Sequence, residues 1–196
     1  MTILSKKTDQ SGRSMVEMLG VLAIIGVLSV GGISGYSKAM AKFKLTKAQD
    51  QITMLLMNIR TAYATSPSYS GLSEAIVIDY NIAPNEMVSG TNLFGTFGGA
   101  VHIGPTARTI DKHQIANAAA NTAGNYFYIT LMGLGKEACR SLATSDWGAD
   151  GLVKMMIGGS GDTPTHTYEV KDLPVGLSDA AGDCDNEVSN ITWVYY

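Results

Sequence analysis

Glu17 is the first residue whose type and place ask for chemistry, a carboxylate at the very start of a long apolar run. A charge inside a membrane segment costs a few kcal/mol at its centre and less near an end, which marks it for function. The other reading is a boundary residue at a helix N-terminus, where negative charge suits the helix dipole. Cys139 and Cys184 are the two cysteines, too few for a disulfide-stapled miniprotein and without the close pairing of a zinc knuckle. Their chemistry depends on the compartment they occupy. Asp179, Asp183, Asp185 and Glu187 surround Cys184 and could offer calcium several oxygens. They lack the glycine and spacing of a calcium loop, so a solvated acidic turn is the favoured reading and no metal is expected. His102, His113 and His166 stand far apart and fit neither HExxH nor a ligand cluster, so each reads as a surface or core histidine. Gly158-Gly159-Ser160-Gly161 lacks the lysine of a phosphate-binding loop, and no GxSxG supplies a nucleophile. These absences point away from an enzyme and imply no cofactor. Asn190-Ile191-Thr192 has the spacing of a glycosylation sequon but lies in an expected strand, which discounts it.

The elements that must position these residues follow from composition and periodicity. The chain has 196 residues, 45% of them hydrophobic and 16% charged, with a net charge of -3. This balance excludes a disordered, collagen-like or polybasic nucleic-acid-binding chain and allows one domain with an appendage. No internal repeat of the solenoid or propeller kind is present.

Met18 to Ser37 contains no charged residue. As a helix this run spans roughly 30 Å, about one hydrocarbon core. Lys6, Lys7 and Arg13 precede it with Asp9 opposing them, which keeps the short N-terminal side in the cytoplasm and sends the long C-terminal side across. Both cysteines then meet an oxidising compartment. A cleaved secretory signal has an apolar stretch of about 7–15 residues, whereas this one is longer and runs on into helix. Ala41, Leu45, Ala48, Ile52, Leu55, Ile59 and Ala62 alternate steps of four and three, one stripe of a helix. Lys42, Lys44, Lys47, Gln49, Asp50, Asn58 and Arg60 fill the other faces, and no proline intervenes before Pro67. A single helix is therefore expected from near Ser14 to near Ala64, apolar all round in its first half and amphipathic in its second. Gly31 and Gly35 form a small-xxx-small pair that lets helices approach, and together with Gly20, Gly26 and Gly32 they weaken helix propensity.

The string Ser11-Gly12-Arg13-Ser14-Met15-Val16-Glu17-Met18-Leu19 resembles the prepilin peptidase site of type IV pilins and related pseudopilins. In that family a short basic leader ends in glycine and glutamate is the fifth mature residue. Gly12 and Glu17 match at that spacing. Arg13 departs from the pattern, since the family usually begins with an apolar, N-methylated residue. Phe127-Tyr128-Ile129-Thr130-Leu131-Met132-Gly133-Leu134, followed by Lys136-Glu137-Ala138-Cys139-Arg140-Ser141-Leu142, is similar to the type IVb pilins, where a strand leads into a short helix carrying the first cysteine. Cys184 through Tyr196 is similar to the end of the same group, where the second cysteine precedes a last strand. The middle, roughly residues 71–125, matches loosely.

The resemblance implies an α+β fold: a long N-terminal helix packed on an antiparallel sheet, with a C-terminal disulfide-bonded region joining Cys139 to Cys184. The expected organisation is a cleaved leader over 1–12, a helix over 13–65 that is transmembrane about 15–37 and amphipathic about 38–64, and a globular head over 66–196. After Pro67 the expected strands are Ala100–Ile103, Tyr126–Met132, Leu152–Ile157, Thr167–Val170 and Ile191–Tyr195, with Leu72–Tyr80 leaning to a short helix. Ala48, Ile52, Leu55 and Ile59 should close one face of the sheet.

The implied function is that of a structural pilus subunit, held in the inner membrane as a precursor with its head in the periplasm of a Gram-negative bacterium. Processing at Gly12 and Arg13, then packing of copies through Glu17, Arg13, Gly31 and Gly35, would build an extracellular filament for adhesion, aggregation or DNA transfer. The implied partners are a prepilin peptidase, an assembly platform with its ATPase, other copies of the chain and a host-surface receptor. A minor pilin or adhesin at the filament tip, or a type II secretion pseudopilin, are the rival readings. The paired cysteines before the last strand favour a pilin over a pseudopilin.

Overall fold

A computed structural model describes residues 13–113, 124–148 and 151–196, with side chains from residue 15. Helix α1 runs unbroken over Arg13–Ala62, 50 residues. Its C-terminal end falls within two residues of that expected from the periodicity, and Pro67 follows shortly after. The chain divides into two compact units, one ending at Phe43 and one running over Lys44–Tyr196.

The first unit is the apolar half of α1. Its most apolar 18-residue window has a mean hydropathy of 2.2, long and apolar enough to cross a membrane. From Met15 to Tyr36 its large side chains are all more than half exposed.

The second unit is built on a five-stranded antiparallel sheet of β3 (Val101–Thr106), β4 (Tyr126–Leu134), β5 (Leu152–Gly159), β6 (His166–Glu169) and β7 (Ser189–Tyr195). The spatial order is β3-β4-β7-β5-β6, so the last strand lies in the middle and every pairing is antiparallel. All five expected strands are present with ends moved by a few residues. Between Leu131 and Leu134 the β4 register slips, and Gly133 sits there at φ 74°, a left-handed conformation that glycine adopts without strain.

The stripe Ala48, Ile52, Leu55 and Ile59 is buried to 1% exposure or less and packs in one core with Phe127, Ile129, Leu131, Met155, Ile157, Ile191 and Trp193. These sheet residues alternate with those of the opposite face, as a period-two strand requires. The stripe expectation needs two corrections. Ala62, the last helical residue, is exposed, whereas Leu56 and Gln51 are buried. The buried arc is wider than the row of apolar residues because Gln51 finds polar partners inside it.

Helix α2 (Glu74–Asp79) resolves the ambiguous segment as a helix. Ser73 caps it, its Oγ accepting the Ile76 N–H at 3.3 Å, and Val77 is fully buried. A short hairpin of β1 (Val88–Ser89) and β2 (Asn92–Leu93) was outside the sequence expectation. So was α4 (Leu177–Asp183), while α3 (Lys136–Ala143) is the short helix implied for the first cysteine.

The face of the sheet turned away from α1 carries a second, smaller cluster of Tyr128, Val153, Met156 and Val194, with Ile110 packed on it. Thr130 and Thr192 continue that face as a buried hydroxyl pair 2.7 Å apart.

Candidate functional site

Within the first unit Glu17 lies past the first turn of α1, which holds no acidic residue. Helix-dipole stabilisation of an anion is strongest within that turn and fades beyond it. The carboxylate shares a shallow groove with Met18, Val21 and Leu22. Arg13 opens the helix, and Gly12 lies outside the described residues. At Gly31 and Gly35 an added Cβ would meet, beyond the helix's own backbone, nothing within 4 Å among the described residues. Packing within the chain therefore gives no reason for glycine at either position.

In the second unit the polar residues of α1 hold the chain that follows the helix. Lys47 pairs with Glu86 at 2.8 Å, and the Gln51 amide donates to the same carboxylate at 2.6 Å while accepting from Thr96. The Lys47 and Gln51 hydrogen bonds hold Glu86 below the usual carboxylate range. Asn58 donates to the Ile82 carbonyl at 2.7 Å, and Gln49 to Ser145 at 2.6 Å. Arg60 donates to the Tyr196 carbonyl and lies 5.6 Å from the centre of the Tyr195 ring. Of the residues assigned to the other faces of this helix, Lys47, Gln49, Asn58 and Arg60 are thus its anchors to the loops and to the end of the chain's last strand.

Cys139 on α3 and Cys184 at the end of α4 form a disulfide with both residues fully buried and Cα atoms 5.7 Å apart. The bridge joins the two helices, and Arg140 adds a hydrogen bond to the Ala181 carbonyl. Trp147, shortly after α3, packs its ring at a tilt against Trp193 of β7, centroids 4.7 Å apart, and donates its indole N–H to the Leu142 carbonyl.

The acidic residues around Cys184 are not one solvated turn. Asp183 is buried and accepts the Tyr168 hydroxyl at 2.6 Å, whereas Asp185 is exposed and pairs with Lys136 at 2.9 Å. The Lys136 hydrogen bond holds Asp185 below the usual carboxylate range. Among the described residues no three His, Cys, Asp or Glu side chains converge as metal ligands. The histidines part in the same way. His102 pairs with the buried Glu74 at 2.7 Å, His113 is buried against Thr192, and the exposed His166 stacks on Tyr168. Asn190 is fully buried within β7, which closes the sequon to modification of the folded chain.

A long apolar helix, an antiparallel sheet with the last strand at its centre, and one disulfide linking the helices before that strand form a combination that a family comparison decides. The family described as PilS N terminal matches residues 43–196. The chain belongs to the PilS family of pilins. The PilS-family chain is 32% identical over 148 residues to the major structural subunit of the bundle-forming pilus of Escherichia coli, covering 74% of this chain and 69% of that protein. It is 29% identical over 143 residues to the toxin coregulated pilin of Vibrio cholerae, covering 71% of this chain and 59% of that one. Among solved structures, the type IVb pilin of Salmonella typhi aligns with a TM-score of 0.48 at 20% identity, covering 79% of this chain and 97% of that one. The type IV pilin TcpA of Vibrio cholerae aligns at 0.47 and 16%, covering 78% and 99%. The PilS match begins at Phe43 and spans the whole second unit, so the family assignment rests on the head and the amphipathic half of α1.

Proposed function

We propose that this pilin is the structural subunit of a type IVb-like pilus, made as a membrane-anchored precursor and polymerised through its N-terminal helix. The observation that carries the reading is the apolar half of α1, whose large apolar side chains from Met15 to Tyr36 are all more than half exposed among the described residues. So large an apolar surface is tolerated in water at no stage, and two environments can cover it in turn. The first is the inner membrane, which a run of this length spans. The second is a bundle of the same helices contributed by other copies. The E. coli relative is a major pilus subunit by name, which supports self-assembly as the use of the second.

The leader 1–12 would be removed by a prepilin peptidase between Gly12 and Arg13. Assembly would then draw on a membrane platform with its ATPase, and the finished fibre would lie outside the cell. Gly31 and Gly35 would serve as the close-approach face between helices. Glu17 would pair with the new α-amino group of Arg13 on a neighbouring copy, because an unpaired carboxylate is expensive in a low-dielectric bundle and a paired one tolerable. The chemistry is that of assembly, and no step calls for a catalytic group or a cofactor.

Electron microscopy and mass analysis of filaments sheared from expressing cells test the reading. Filaments composed chiefly of this chain are expected. Filaments in which the chain is a trace component would make it a minor or tip pilin, and its absence from them would remove the filament role.

A further inference from the structure

After β3 the chain turns over the outer face of the sheet, and Ala107–His113 lies across it as a strap held at both ends. Ile110 packs on the cluster of Tyr128, Val153, Met156 and Val194, and its carbonyl accepts the Lys154 ammonium from β5. Three residues on, the His113 backbone N–H donates to the Asp162 carbonyl at 2.8 Å. The His113 ring turns inward, 2% exposed, with Nδ1 2.9 Å from the Thr192 hydroxyl, itself 2.7 Å from that of Thr130. The other ring nitrogen, Nε2, is buried and has no hydrogen-bond partner among the described residues.

We propose that Ala107–His113 is an acid-released strap, seated on the sheet while the His113 imidazole is neutral and lifted when the ring takes a second proton. The geometry argues this directly. A neutral ring needs one partner at Nδ1 and leaves Nε2 at modest cost. A charged ring needs acceptors at both nitrogens, and only the Nδ1 side has an oxygen. β4 and β7 offer the ring no charge, only Thr130 and Thr192. Beyond β5, Asp162 is the one neighbouring group among the described residues that favours the charged ring, and it offsets burial only in part. Lys154 on β5 is a cation, and the strap's own Arg108, Asp111 and Lys112 are exposed, Arg108 facing Glu169 on β6 at 3.9 Å. Burial therefore dominates and pulls His113 down to about 4. The folded value lies below the ordinary 6.5, so the strap holds fully above 6.5 and loosens progressively as pH falls toward 4. Lifting it uncovers the hydroxyl pair and the apolar cluster while the disulfide and the inner core, on the other face, stay in place.

Hydrogen exchange on the full chain in detergent, corrected for intrinsic rates, reads this at the His113 amide. Between pH 7 and pH 4.5 its protection should fall about fifty-fold, the linkage expected from 6.5 and about 4, with β4 and β7 amides still protected. His113→Gln, which can still bond Thr192 but cannot charge, should abolish the pH effect. Unchanged protection in the wild type, an equal loss in His113→Gln, or simultaneous loss across β4 and β7 would overturn the proposal. Should the variant not fold, the wild-type imidazole read by NMR decides. Titration below pH 5 in step with exposure of the strap supports it, and titration near 6.5 or out of step with exposure overturns it.

Discussion

The Tyr168 hydroxyl donates a 2.6 Å hydrogen bond to the buried carboxylate of Asp183, and through it the edge strand β6 is tied to the helix that ends in Cys184. The contact explains why a short helix of poor helix-forming residues exists at all. Gly182, Ser178, Asp179 and Asp183 carry little propensity, and α4 has no side-chain cap. Tertiary ties at its C-terminal end, this hydrogen bond and the disulfide, hold it in place.

Tyr168→Phe leaves the Asp183 carboxylate buried without its donor. We expect a loss of about 1–3 kcal/mol in unfolding free energy, the usual cost of a stranded buried polar group. Denaturant unfolding followed by tryptophan fluorescence measures it. A change near zero would mean that water takes the place of the hydroxyl.

Alkaline titration gives a second measurement. Burial raises the phenols of Tyr63, Tyr128, Tyr168 and Tyr195 above their ordinary value, and at Tyr168 the hydrogen bond to Asp183 adds to the effect. With folded values above 10, the stability these groups confer is complete below pH 10 and lost as pH rises beyond it. Absorbance at 295 nm should show Tyr128, Tyr168 and Tyr195 ionising only as circular dichroism reports unfolding. Ionisation of these three at the ordinary tyrosine value with the fold intact would contradict the burial.

The disulfide makes a separate contribution. Cys184→Ser should lower stability by about 2–5 kcal/mol, as loss of a native bridge generally does. Because α3 and α4 are also joined through Arg140 and Ala181, the sheet should survive and the first loss of protection should fall on α4. Peptide-resolved hydrogen exchange distinguishes this from uniform loosening.

What the sequence disclosed and what it hid follow from the range of each signal. The α1 stripe and the five strands were legible because periodicity is local: Ile52, Leu55 and Ile59 announce a buried face without knowledge of what covers it. Asp183 was misread because its partner Tyr168 lies 15 residues away, and a carboxylate among other acids looks solvated until that partner is placed. Gln49 and Asn58 were assigned to outer faces for the same reason, since Ser145 and Ile82 reach them only once the helix has packed. Glu17 was legible as an anomaly because a carboxylate at the head of a 20-residue uncharged run stands out without knowledge of any partner. The strap carries no periodic signal at all, and His113 gives no local sign of burial.

Processing is the next expectation. Cleavage between Gly12 and Arg13 removes Lys6, Lys7 and Asp9 and makes the mature chain one unit more negative. N-terminal sequencing of protein from cells that hold the peptidase should begin at Arg13. A start at residue 1, or beyond Arg13, would refute the leader assignment.

Glu17 should act after that step. Its carboxylate lies beyond the first helical turn, where the dipole of its own helix no longer rewards it, so a cation from elsewhere must compensate it once the helix enters an apolar bundle. The new α-amino group at Arg13 is one such cation and the Arg13 guanidinium is another, the latter able to make two parallel hydrogen bonds. Glu17→Ala removes a charge from an apolar run, so membrane insertion should be at least as good as in the wild type, and cleavage should persist if the peptidase reads mainly Gly12. Polymerisation should fail. Arg13→Phe separates the two cations: filaments should form if the amine is the partner and should be lost if the guanidinium is. Each variant is expressed, leader removal is confirmed by intact mass, and sheared filaments are counted by electron microscopy. Normal piliation by cleaved Glu17→Ala protein would show that the carboxylate takes no part in assembly.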